Sequence, residues 1–499
     1  MTTAPNLNST AGKLANLEVQ LAEAAGAATA RERIEKLLDE GSFVEIDALA
    51  RHRSTAFDMD AQRPATDGVV AGYGTVNGTR VCVFSQDRSI FNGQIGEVHG
   101  EKILKVVELA TKTGVPLISI LDGEGARVAE GIIGLGRGAQ ILHAYSQASG
   151  LIPLVTVVTG SNSGPLIYAA ALADFLVMTP EAELIAINPE HVAGDTIARD
   201  ADAKAHYEAS DMNDALEWVS ELIEFLPLNH RAEAVRGLSH HMDGTIVDNM
   251  DLELDTLIPD AYTSPYDMRG AFIPVLDDGE FFEVQSTHAP SILAGFGHIE
   301  GRSVGIIATQ PDHDSGHIDA AGAAKAARFI RTCDAFNIPI LEFIDCPGFS
   351  PDGINPVAAG SALAYAQAEA SVGRISVITR KALGDAYALL GSKGLGTDLC
   401  FAWPTAQIAV DEAIAAAQVA YAGDIEKKTR TGGNKEELIA DFTEKYEEKF
   451  LSPYAAAEYG LVDAVIPPSQ TRGHIIEGLR LLDRKFVPTI PKKHGNFPF

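Results

Sequence analysis

The chain has 499 residues, too many for a single hydrophobic core, so two domains of roughly 200–250 residues are expected. Hydrophobic residues at 46% and charged residues at 21% are ordinary for a globular enzyme. The formal net charge of -29 argues against a nucleic-acid partner, whose phosphates require a basic face, although a few local Arg or Lys residues could still hold a phosphorylated cofactor.

The opening stretch, MTTAPNLNSTAGKL, has no basic region followed by an apolar run, and no window has the apolar length of a membrane span. A cytoplasmic location is therefore expected. Residues 1–29 read as a helical extension, 30–255 as a first α/β domain and 270–499 as a second, with a turn-rich linker near 255–275. Cys82, Cys333, Cys346 and Cys400 lie far apart in sequence, as reduced thiols rather than a zinc site would.

An internal duplication dominates the chain. VVAGYGTVNGTRVCV (69–83) is matched by ILAGFGHIEGRSVGI (292–306), each an alternating strand, a turn and a second alternating strand. Ala71 pairs with Ala294 and Gly78 with Gly301, so the offset between copies is the same at both positions. An amphipathic helix and a short apolar run follow in each copy, ending at Asp122 and at Asp345 with that same offset. Next come LVTVVTGSNSGPLIYAAALAD and RISVITRKALGDAYALLGSKG, each a β-rich run, a glycine turn and an Ala-rich helix. Strands alternating with helices predict parallel sheets. The stretch 423–450 reads as a solvated helical excursion broken at Gly432-Gly433.

The candidate chemistry sits in the turns between strands and helices. In the first copy these are Gly123-Glu124-Gly125-Ala126-Arg127 and Gly160-Ser161-Asn162-Ser163-Gly164; in the second, Cys346-Pro347-Gly348-Phe349 and Leu383-Gly384-Asp385-Ala386. The first N–H groups of a helix lack internal partners, so such turns can hold a phosphate or steady a developing oxyanion. Any one glycine could serve only a tight turn. Four turns in equivalent places of a duplicated fold point to a paired oxyanion site. No phosphate loop, HExxH helix or GxSxG elbow competes with this reading. His99, His143, His191 and the His240-His241 pair lack metal-ligand spacing, no metal is expected, and Asp277-Asp278 and Glu447-Glu448 read as solvated.

ARERIEKLLDEGSFVEID (30–47), DGVVAGYGTVNGTRVCVFSQD, the GEGAR turn, KAARFIRTCDAFNIPILEFIDCPGF, AWPTAQIAV and the ending KKHGNFPF resemble the β subunits of biotin-dependent acyl-CoA and propionyl-CoA carboxylases. The resemblance runs from about residue 30 to the end. It implies two tandem crotonase-like (ClpP/crotonase) α/β domains. It also implies transfer of carbon dioxide from carboxybiotin to the α-carbon of an acyl-CoA, in the cytoplasm, within lipid metabolism. By the same resemblance the N-terminal domain binds acyl-CoA, with Gly125, Ala126 and Arg127 at that side. The C-terminal domain receives carboxybiotin, with Pro347, Gly348, Phe349 and Ala388 in the biotin and acyl pocket. Backbone amides at Gly164, Asp385 and Ala386 form the oxyanion sites, between the N-domain of one subunit and the C-domain of another in a hexamer. This chain has no Met-Lys-Met biotinyl lysine and no ATP-binding carboxylase domain, which implies a separate biotinylated α subunit.

The chain departs from the family at several loops. The first oxyanion loop, AGGA in the family, is Ser163-Gly164-Pro165-Leu166, and proline has no N–H to donate. The second, YGGAY, is Leu383-Gly384-Asp385-Ala386-Tyr387, placing a carboxylate beside a site meant for an anion. Ala388 follows, where the family tunes acyl preference. The loop after Phe349 is shorter than the family's and lacks its paired glycines, and the family's basic helix start is replaced by Ala358–Ala362. These departures leave three expectations: an active transferase of unusual acyl specificity, a weakened paralogue assembling with an active one in a mixed hexamer, or a decarboxylase subunit.

Overall fold

The computed structural model describes residues 7–25, 28–186, 205–237, 247–351, 353–488 and 491–497. It divides into two compact units, Met1–Ala232 and Glu233–Phe499. His191, His240 and His241 lie outside the described residues.

The first unit is built on a seven-stranded sheet. Its strands are β1 (Val44–Ile46), β2 (Val69–Val76), β3 (Thr79–Gln86), β4 (Leu117–Leu121), β5 (Leu154–Val158), β7 (Phe175–Met178) and β9 (Tyr207–Glu208), in the spatial order β1-β2-β3-β4-β5-β7-β9. β1, β2 and β3 run antiparallel, and every pairing from β3 to β9 is parallel. β6 (Ser161–Ser163) and β8 (Glu183–Ile185) form a separate parallel pair. β4 and β5 are buried along their whole length, as continuous apolar strands between helices must be. The helix Glu97–Thr113 directs Ile103, Val106, Val107 and Ala110 into the core, alongside Ile141 and Tyr145 of the helix Ile133–Ala148.

The second unit repeats the plan. Its strands are β10 (Phe282–Val284), β11 (Ile292–Ile299), β12 (Arg302–Thr309), β13 (Ile340–Cys346), β14 (Arg374–Leu383), β15 (Leu399–Ala402), β16 (Gln407–Ala409) and β17 (Ala464–Val465). They lie in the order β10-β11-β12-β13-β14-β15-β17, with β16 beside the end of β14. β11, β12 and β13 follow β2, β3 and β4 at the offset that separates Ala71 from Ala294, and the helix Ala320–Ala335 follows Glu97–Thr113 at the same offset. The repeat read in the sequence is therefore a repeat of structure. Both hairpins turn through two residues of positive φ, Asn77-Gly78 and Glu300-Gly301, the geometry that matches strand twist. A carboxylate secures each: Asp39 accepts from the amides of Asn77 and Gly78, Asp277 from those of Glu300 and Gly301. Asp277 is therefore a turn clamp rather than a merely solvated acid.

The turn-rich stretch 255–275 belongs to the second core. Tyr266, Met268, Ala271, Phe272 and Val275 are buried there, because its apolar residues cover the β11–β14 face even though Pro and Asp break the path into turns. The excursion at 423–450 forms the helices Ala422–Arg430 and Lys435–Tyr446, parted at Gly432-Gly433 and packed on Ala417, Ile425 and Phe442. One core position differs sharply between the copies. Ser119 on β4 bonds the Tyr145 hydroxyl at 2.5 Å. Its counterpart Glu342 on β13 instead accepts from Gln367 at 2.7 Å, and Gln367 in turn accepts from Arg374, all three being buried. All four cysteines are free and buried. Among the described residues no helix is long and apolar enough to cross a membrane.

Candidate active-site loops

In the first unit the turn after β4 lies against the loop after β5. The Gly125 amide donates to the Ser163 carbonyl at 3.1 Å, the Ser163 amide to the Gly123 carbonyl at 3.3 Å, and the Gly123 amide to Asn162 Oδ1 at 2.8 Å. Gly164 has φ +74°, and a Cβ there would stand 2.7 Å from the Gly125 Cα. Two backbones meet without room for a side chain, which is the physical need for glycine at this point. Gly164 caps the helix Pro165–Leu172, with Pro165 at its first position. Neither the Gly164 nor the Leu166 amide has a hydrogen-bond partner among the described residues. The structure thus brings Gly125 and Gly164 together, with Ala126 next to them.

Arg127 is placed otherwise than a ligand-binding arginine would be. Its side chain is 3% exposed and paired with Asp67 at 2.8 Å and Glu130 at 2.6 Å, with the Phe91 ring 4.3 Å beneath. It holds the turn from behind, so its guanidinium is not presented to a ligand. Burial pushes the Asp67 carboxyl up, against the lowering effect of Arg127. His99 completes this cluster: Nδ1 donates to the Asp67 carbonyl at 2.9 Å, and burial, with the Arg127 charge, pulls it down to about 3.

The second unit builds the same pair of loops. Ile95 bridges Ala126 in parallel in the first copy and Ile318 bridges Phe349 in the second, both partners displaced by the offset of the repeat. The Ile318 amide donates to Gly348 at 3.1 Å, as Ile95 does to Gly125 at 2.9 Å. Cys346 Sγ closes the loop onto the Gly348 carbonyl at 3.3 Å, and Pro347 precedes it. The pairing of β14 with β16 (Lys381↔Gln407, Leu383↔Ala409) reproduces that of β6 with β8 (Ser161↔Glu183, Ser163↔Ile185). Gly384, at φ +54°, therefore stands where Gly164 stands, Asp385 matches Pro165, and Ala386 matches Leu166. Ala386 is buried, while the Asp385 and Ala388 side chains are exposed. The carboxylate of Asp385 thus faces outward from the short helix Gly384–Leu389. Phe349 rests near Gly360 of the helix Val357–Glu369, which contains the Ala358–Ala362 segment.

Two charged residues at these loops were not singled out from sequence. Arg88 donates Nε to Asp122 at 2.7 Å and its other nitrogens to Glu124 and the Ser161 carbonyl, tying strand, turn and loop together. Its only sequence signal is a cation just past β3, where the second copy has Pro311. In that copy Asp345 is paired instead with Arg380 at 2.8 Å, next to Lys381. Each unit presents backbone amides beside glycine turns, an arrangement able to steady an oxyanion on a substrate without a nucleophilic side chain.

A carboxyl transferase domain model matches residues 22–497. The chain is 46% identical to the propionyl-CoA carboxylase beta chain of Saccharopolyspora erythraea, covering 99% of this chain and 97% of that one. It is equally 46% identical to the biotin-dependent acetyl-/propionyl-coenzyme A carboxylase beta5 subunit of Mycobacterium leprae, covering 99% and 96%. A methylmalonyl-CoA decarboxylase alpha subunit of Veillonella parvula is 38% identical over 96% and 95% of the two chains. Among solved structures, the transcarboxylase 12S hexamer with methylmalonyl-coenzyme A bound superposes with a TM-score of 0.92 at 33% identity, covering 98% and 99%.

Proposed function

The chain belongs to the carboxyl transferase domain family, as the carboxyltransferase subunit of a biotin-dependent acyl-CoA carboxylase with two crotonase-like domains, and on that premise we propose how it works. It transfers a carboxyl group from carboxybiotin, carried on a separate α subunit, to the α-carbon of a short acyl-CoA of the acetyl or propionyl class. The carboxyl donor and the base for the α-proton come with that biotin; this chain's residues bind, orient and steady charge. The observation that carries the reading is the duplicated pair of loops, pinned by equivalent bridges and offering amides at Gly164 and Leu166 in one unit and at Asp385 and Ala386 in the other.

In this reading the first unit takes the acyl-CoA on the Gly125-Ala126 turn, with Arg127 holding that turn in place. The second takes the biotin ring on the Pro347-Gly348-Phe349 loop, and Ala388 borders the acyl pocket. Amide donors suit both the thioester enolate and the ureido oxygen, since each carries charge on an oxygen. The assembly is a hexamer in which the first unit of one subunit works with the second unit of another.

Pro165 supports a second reading. Its missing N–H removes from the first loop the donor that Asp385, its counterpart, supplies in the second, as in a weakened paralogue of a mixed hexamer. The purified chain, with its biotinylated partner, ATP and labelled bicarbonate, should incorporate label into acetyl- or propionyl-CoA. Incorporation only after a paralogous β subunit is added supports the second reading. Biotin-dependent loss of carbon dioxide from methylmalonyl-CoA, without incorporation, would overturn both in favour of a decarboxylase.

A further inference from the structure

Three lysines in the described residues are almost fully buried: Lys102, Lys325 and Lys381, at 2%, 4% and 5% exposure. The first two are equivalents, at matching places on the helices Glu97–Thr113 and Ala320–Ala335. Each gives its ammonium to two carbonyls, Lys102 to Thr66 and Val69 at 3.2 and 2.6 Å, Lys325 to Gln285 and His288 at 2.9 and 3.0 Å. They staple the segment before each hairpin to the first helix.

Lys381 is different. Its Nζ lies 4.2 Å over the Tyr262 ring and makes no hydrogen bond or ion pair among the described residues. Most of the side chain is buried, yet Nζ keeps solvent contact and no acceptor among the described residues holds it; the aromatic face replaces only part of such a bond. The charges of Asp345 and Glu412 favour the ammonium and that of Arg380 opposes it, but neither carboxylate bonds Nζ. Asp345 uses one oxygen for Arg380 at 2.8 Å and the other for the Lys381 amide at 3.0 Å. Glu412 is exposed, and burial pushes the Cys346 thiol and the Tyr262 phenol up, leaving both neutral.

Its position supplies a use for the charge. Lys381 lies at the end of β14, four residues before Asp385, and its neighbour Ala382 pairs with Cys346, where the Cys346–Phe349 loop begins. The equivalent residue of the first unit is Ser161, whose hydroxyl is taken by Glu183 at 2.7 Å. Among the described residues this cation thus has a hydroxyl, not a charge, as its counterpart, and it stands in the unit read above as receiving the carboxyl donor. Resting on that reading, we propose that Lys381 is a carboxylate-binding, specificity-determining residue of the second unit, whose ammonium receives the transferable carboxylate of the N-carboxylated ureido donor.

Two measurements on the full chain test this. In carboxylation assays with the biotinylated partner, Lys381→Met should raise the KM for that partner about 10- to 100-fold, the worth of one charge-assisted hydrogen bond, and Lys381→Arg should recover part of the loss. The KM for acyl-CoA should not move; a rise there alone would show that the ammonium serves the carboxylate of the acyl product, overturning the assignment to the donor. The second measurement is amine acetylation of the wild-type protein at pH 8, read by mass spectrometry. Burial holds the Lys381 pKa below the ordinary lysine value, which favours its reactive form. Bicarbonate or malonate should protect Lys381 and leave Lys102 and Lys325 unaffected. Equal labelling with and without those anions would overturn the proposal, and this holds even if the methionine variant does not fold. Protection in a wild-type chain that shows no transferase activity would keep the carboxylate site and remove the transferase reading. Normal kinetics in Lys381→Met would do the reverse.

Discussion

Pro165 gives the sharpest test of the amide-donor mechanism. It opens the helix Pro165–Leu172, and its Cβ and Cγ lie 2.6 and 2.5 Å from the point where a Cβ on Gly138 would stand, so the ring is packed on the helix Ile133–Ala148. Pro165→Ala restores an N–H at the first helical position and keeps the Cβ. The loss of two packed methylenes costs at most about 1.6 kcal/mol, and the freer unfolded chain about 0.4–1 kcal/mol more. Against that, one oxyanion donor is worth about 3 kcal/mol in the transition state, or about 100- to 1000-fold in kcat. Pro165→Gly adds the same donor with a further chain-entropy cost of about 0.5–1 kcal/mol. Both variants should therefore raise kcat for labelled bicarbonate incorporation while Tm falls, further for glycine than for alanine. Single-turnover measurement isolates the chemical step. Two folded variants with wild-type single-turnover rates would refute the claim that the first loop lacks a donor.

Two other outcomes follow from the same geometry. Gly164→Ala places a Cβ 2.7 Å from the Gly125 Cα at φ +74°, so the two backbones must part; kcat should fall at least about 100-fold with the fold retained, measured by the same assay beside circular dichroism, and an unchanged kcat would separate this contact from catalysis. His99 is held near 3 by burial, whereas the unfolded imidazole titrates near 6.5, so the unfolded chain binds the extra proton as pH falls and the stabilising contribution, full above about 6.5, is lost toward pH 3. His99→Asn should lack this dependence, so the stability gap between the two proteins should narrow by roughly 3 kcal/mol from pH 7 to pH 4 in denaturant titrations; a constant gap would mean that His99 does not titrate with unfolding.

The duplication was legible because a strand period of two and a fixed offset survive in the residues themselves. The glycine turns at 123–127 and 160–164 were legible too, since a backbone contact as close as Gly164 to Gly125 admits only glycine. Side-chain destinations were not. Arg127 beside a glycine turn reads as a ligand contact, but its true partner Asp67 lies far upstream and local sequence carries no mark of that pairing. Arg88 and Lys381 matter through what surrounds them, and surroundings come from the fold. The stretch 255–275 was misleading because turn formers and core residues alternate within it: Pro265 is exposed and Tyr266 is buried.

The exchange of Ser119–Tyr145 for Glu342–Gln367–Arg374 at one core position has a consequence for how the duplicated chain avoids confusing its halves. Were the helix Ile133–Ala148 to dock on β13, Glu342 would face a phenol in place of its amide partner, and Arg374 would keep the Leu395 carbonyl but lose its bond to Gln367. Exchanging helices between the two scaffolds would therefore cost each its polar partner at this one core position, a penalty that favours each helix on its own sheet.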